Sequence, residues 1–162
     1  MKCYLFNGLA TLCLLIVHNS VAAQSNANRF VPLIQPLGKC REALSSDQPP
    51  TVQLRLCNAA LEAHKENVEQ VNSPLEKNLF WGNLAIIHAS LQSIFEEIDG
   101  TATMDRACTQ AELSWLAHKN VQDEDWGRED LLAASQNVRG RIQENVQECR
   151  NNVGTPEWGA AL

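Results

Sequence analysis

The chain has 162 residues, 44% apolar and 20% charged, with a formal charge of −6. This length sets an expectation of one domain, and the composition excludes collagenous and strongly disordered chains. The acidic balance excludes nucleic acid as the partner, because a phosphate backbone calls for a basic face.

Residues 1–23 read as a signal peptide. Lys2 supplies a positive start, Leu9 to Val17 form an apolar run broken only by Thr11, and Val21-Ala22-Ala23 offers a small-residue cleavage site. The run is shorter than the ~20 apolar residues that span a bilayer, and no later run is longer, so the mature chain is expected to lack a membrane span. Cleavage after Ala23 takes Cys3 and Cys13 away and leaves Cys40, Cys57, Cys108 and Cys149. An even cysteine set in an exported chain predicts two disulfides and a periplasmic or secreted location.

Residues 24–36 contain Pro32 and Pro36 and read as an extended lead-in, because proline opposes a helix interior. A helical domain over 37–150 follows. Leu37, Cys40, Ala43 and Leu44 form a first short stripe, and residues 45–50 a turn. A second helix, about Thr51 to Val71, carries Leu54, Cys57, Leu61, His64 and Val68 on one face. Ser73-Pro74-Leu75-Glu76 combines an N-cap, a proline suited to the first helical position and a capping-box glutamate. The third helix, to about Ile98, carries Leu75, Leu79, Phe80, Leu84, Ile87, Leu91, Ile94, Phe95 and Ile98. Trp81, Ala85 and Ile86 widen its apolar surface beyond one stripe, which makes it the central helix.

Gly100 is a stop signal, and Thr101 or Thr103 begins a fourth helix with Met104, Ala107, Cys108, Ala111, Trp115 and His118 on one face. An acidic loop, 120–130, precedes a fifth helix carrying Leu131, Ser135, Val138, Ile142, Val146 and Cys149. Residues 151–162 read as an irregular tail. Strand alternation is absent. The fold class is therefore all-α: four to five antiparallel helices, a bundle or short helical-hairpin array, with two disulfides. At a rise of about 1.5 Å per residue, Cys40 and Cys57 sit at matching heights around the first turn, while Cys108 and Cys149 come out roughly 10 Å apart, a difference left to the linker before the fifth helix, so the expected pairs are Cys40–Cys57 and Cys108–Cys149.

Reactive constellations are sparse. There is no CxxC, no GxSxG elbow and no glycine-rich phosphate loop, and the acidic loop lacks EF-hand spacing, so no cofactor is expected. In an up-and-down arrangement His64 and His118 fall at similar heights, with His88 roughly 8 Å above them. A two-histidine metal site or small helical enzyme using His64 and His118 is thus the alternative chemistry. Trp126, beside Gly127 in the acidic loop, is either a hydrophobic plug or an exposed contact residue.

The stretch SPLEKNLFWGNLAIIHASLQ, with MDRACTQAELSWLAHKN, covers about residues 73–120 and resembles one tetratricopeptide-like helical pair. Trp81 and Leu84 match the early Trp and Leu of that repeat, while Met104, Cys108 and Ala111 fall on its second helix. The linker is about seven residues longer than the repeat's, Ala85 stands where it has Gly, and no 34-residue period recurs. The resemblance implies an α-solenoid-like binding module. The four-cysteine layout is also similar to that of exported helical-bundle inhibitors of cell-wall enzymes, which implies an inhibitor of a secreted enzyme as a further alternative. The expected function is an exported, non-enzymatic helical protein-binding or structural module, with a protein partner of unknown identity.

Overall fold

A computed structural model describes residues 24–99 and 105–153. The signal-peptide reading of 1–23, the Gly100 stop, the threonine caps and the tail from 154 onward lie outside the described residues. Five helices follow in order: α1 (Gln24–Ser45), α2 (Pro50–Glu66), α3 (Pro74–Asp99), α4 (Asp105–His118) and α5 (Glu129–Val153). Short 3-10 turns occupy Val68–Gln70 and Asp123–Trp126. Among the described residues there is no strand, and no helix is long and apolar enough to cross a membrane.

The Ser73 capping box forms as the residues dictate. The Glu76 amide donates to Ser73 Oγ at 3.2 Å, and Glu76 Oε2 accepts from the Ser73 amide at 2.9 Å. Helix α3 then runs through the middle of the molecule. It packs against α2 on one side and α4 on the other, with further contact to α1 and to the Asp123–Trp126 turn. Ala85, Ile86, Ile87, Leu91 and Ile94 are all buried along it. Each helix otherwise packs chiefly on its sequence neighbours. Helix α5 buries Leu131, Ser135, Val138, Ile142, Val146 and Cys149, the face expected from its periodicity.

Both disulfides form with the expected partners. Cys40 joins Cys57 with Cα atoms 4.6 Å apart, tying α1 to α2, and Cys108 joins Cys149 at 5.4 Å, tying α4 to α5. Two structural disulfides fit an oxidising compartment.

The extended lead-in over 24–36 is corrected: helix α1 runs through Pro32 and Pro36. A proline inside a helix costs about 3 kcal/mol. Leu33, Leu37, Cys40 and Ala43 recur every three or four residues and are all buried. Burial contributes about 1.5–3 kcal/mol for each leucine, and with the Cys40–Cys57 bond it offsets the prolines. At the other end the helix continues past residue 150 to Val153, where Gln147 Nε2 donates to Asn151 Oδ1 one turn on, so the first residues of the expected tail are helical. Three residues assigned to apolar stripes face outward instead. Val68 lies in the 3-10 turn beyond the end of α2 and is 47% exposed, while Leu75 and Ile98, near opposite ends of α3, are each 41% exposed.

Candidate functional site

The histidines singled out by sequence lie inside helix junctions. His64, on α2, is fully buried, with its ring 5.4 Å from that of Phe80 on α3. Its Nδ1 lies 3.1 Å from the Ala60 carbonyl, one turn back. A carbonyl only accepts, so Nδ1 carries the proton and Nε2 presents a bare lone pair. That Nε2 has no hydrogen-bond partner among the described residues. Burial pushes the His64 pKa below its ordinary value, the Ala60 bond opposes this, and the nearby His88 adds to the depression.

His118, at the end of α4, is buried with Nε2 3.5 Å from Ser135 Oγ on α5, the long end of hydrogen bonding, and Nδ1 unpartnered. Burial again lowers its pKa, followed by the charge of Arg139, while backbone hydrogen bonding at His118 and Ser135 and then the charge of Asp123 act in the opposite direction. The groups acting on His118 therefore come from α5 and the 3-10 turn, whereas those acting on His64 come from α2 and α3. The structure gives the two rings separate surroundings and associates His64 with His88. Among the described residues no group of three or more His, Cys, Asp or Glu is placed to hold a metal ion.

Trp126 is buried, 2% exposed, and its ring edge lies over Gly82 of α3. It folds back as a plug between α3 and α5, and its indole Nε1 has no acceptor among the described residues. The plug is seated by Asn78 of α3, which exchanges two hydrogen bonds with the Gln122 backbone, at 2.7 and 2.9 Å. Gly127 then turns the chain with φ of 64°, a left-handed conformation in which glycine carries no Cβ penalty. Trp81 and Trp115, expected in the core, pack against it half-buried.

Polar contacts between the helices and the 3-10 turn complete these surroundings. Asp123 accepts from Arg139 at 2.5 and 3.1 Å, which holds its carboxyl pKa below the ordinary range. Glu112, buried on α4, accepts from Arg150 of α5 at 2.6 and 2.8 Å, next to the Cys108–Cys149 bond. His88 donates from Nδ1 to Gln110 Oε1 across α3 and α4 at 2.7 Å. Ser135, the polar residue on the otherwise apolar stripe of α5, is buried where the periodicity places it. Asp123–Arg139 and Glu112–Arg150 join residues far apart in sequence, and no local pattern reveals such pairs.

No known protein family, characterised protein or solved structure matches the chain.

Proposed function

We propose that the chain is an exported, non-enzymatic helical module that binds a protein partner in the periplasm or outside the cell. The observation that supports this reading is where the reactive side chains lie. Cys40, Cys57, Cys108 and Cys149 are all consumed by disulfides, and His64, His118 and Ser135 are buried within helix junctions rather than presented to a substrate. The resemblance of residues 73–120 to a tetratricopeptide-like pair agrees with a binding role. The contact surface is then an outer helix face, and the exposed apolar residues Val68 and Leu75, which bracket the α2–α3 connection, are the first place to look.

The test is photo-crosslinking in the expressing cell, with a probe residue at Val68, Leu75 or the exposed control Glu62. The expected result is one adduct of constant mass from Val68 or Leu75, absent from Glu62, on a chain whose N-terminus is Gln24. A chain that keeps residues 1–23 in the cytosol, or that yields no discrete adduct from either probe, rejects the reading.

A further inference from the structure

One buried histidine stands at each of three successive helix junctions: His64 of α2 against Phe80 of α3, His88 of α3 against Gln110 of α4, and His118 of α4 against Ser135 of α5. We infer that His64 and His88, the two rings at the faces of α3, form an acid-operated release, in which their protonation frees α3 from the stapled α1–α2 hairpin on one side and from the stapled α4–α5 hairpin on the other.

The geometry makes protonation uncompensated. A proton on His64 goes to Nε2, which has no acceptor among the described residues, and His88 already spends its Nδ1 proton on Gln110. The charged neighbours are of the wrong sign. The charge of a protonated His88 acts against protonation of His64, and that of Lys65 of α2 acts against protonation of His88. Among the described residues no charged group of α1 acts on either ring. A buried cation at His64, without an acceptor, is expelled toward water, and water reaches that ring only when the helices part.

The direction of the pH effect follows from proton binding. Both rings have pKa values lowered by burial in the folded state, so the open state binds more protons below about pH 6.5. The closed state is fully favoured above that pH and is lost as the pH falls below it. The staples lie within the two hairpins, so opening separates units that are each still covalently closed, and the change is reversible. It uncovers the apolar face of α3 that carries Ile87, Leu91 and Ile94.

Hydrogen exchange of the α3 amides in the oxidised chain, from pH 7.5 to 5 and corrected for intrinsic rates, measures the opening constant. Each proton taken up contributes a tenfold rise per pH unit, so an increase of more than tenfold per unit is expected below pH 6.5. Carboxylates titrate near pH 4 and lie outside this window. His88→Gln is expected to reduce the steepness by up to tenfold per unit, and His64→Gln likewise. An opening constant that does not change between pH 7.5 and 5, or a steepness untouched by either substitution, overturns the inference. Should a variant fail to fold, ring-proton NMR of the wild type decides. Rings that titrate only as the α3 amides lose protection support the release, and rings that titrate near 6.5 with α3 still closed refute it.

Discussion

The two stapled hairpins are built on the same plan and held by different means. The α1–α2 hairpin rests on its disulfide and on an apolar seam of Leu33, Leu37, Ala43 and Ala60. The α4–α5 hairpin adds charged and polar interlocks: Glu112–Arg150 beside its disulfide, Ser135 against His118, and Asp123–Arg139 beside the Trp126 plug. It also reaches α3, through Asn145 Nδ2 donating to Gln92 Oε1 at 3.2 Å. Apolar burial is non-directional and tolerates sliding, whereas paired charges fix one register. Among the described residues the C-terminal hairpin is therefore the more precisely defined half, and the N-terminal hairpin depends more heavily on its covalent tie.

The largest test of that contrast is Trp126→Ala. Loss of a buried tryptophan that plugs α3 against α5 is expected to cost about 4 kcal/mol in urea unfolding, within the range for large aromatic truncations. Trp126→Phe keeps most of the packing and removes the indole N–H that lacks an acceptor, so it is expected to cost less than half as much. Next come the staples. Cys108 and Cys149 are 41 residues apart and Cys40 and Cys57 are 17 apart, so loop-closure entropy assigns about 4 and about 3 kcal/mol to them. If the interlocks matter, removal of the second bond by paired Cys→Ala substitution falls short of its value, because Glu112–Arg150 keeps the helices in register. Removal of the first bond should show its full effect. Equal shortfalls in both would erase the distinction between the hairpins.

What was legible in the sequence was whatever rests on local periodicity. The stripe of α5 and the Ser73 capping box are set by residues three and four apart, and both stand as read. The disulfide pairing was also legible, because helix rise converts sequence distance into height. Helix α1 was misread because proline was weighed as a local rule while the burial opposing it is tertiary. The candidate site was legible only in its members. His64, His118 and Trp126 were identifiable as unusual residues, but the partners that define their surroundings, Phe80, Ser135 and Gly82, come from other helices. Pro36→Ala tests the corrected reading of α1. It restores a backbone N–H able to bond the carbonyl of residue 32, and a stabilisation of about 2 kcal/mol is expected after allowance for the freer unfolded chain. A neutral result would mean that the segment is not helical in solution.

The smallest expected effect separates two glycines of the C-terminal hairpin. Gly140 lies inside α5, and a Cβ built on it meets nothing within 4 Å. Gly140→Ala therefore gains helix propensity without a steric cost, and about 1 kcal/mol of stabilisation is expected. Gly127 also has open space around it, but its φ of 64° is a conformation that an L side chain rarely adopts. Gly127→Ala is expected to destabilise by about 1 kcal/mol or slightly more. The surroundings are equally open at both positions, so only backbone conformation distinguishes them, and the two variants should shift the urea midpoint in opposite directions. If both shifted it the same way, the turn that seats Trp126 would not hold its left-handed form in solution, and the plug would lose the geometry on which its packing against α3 depends.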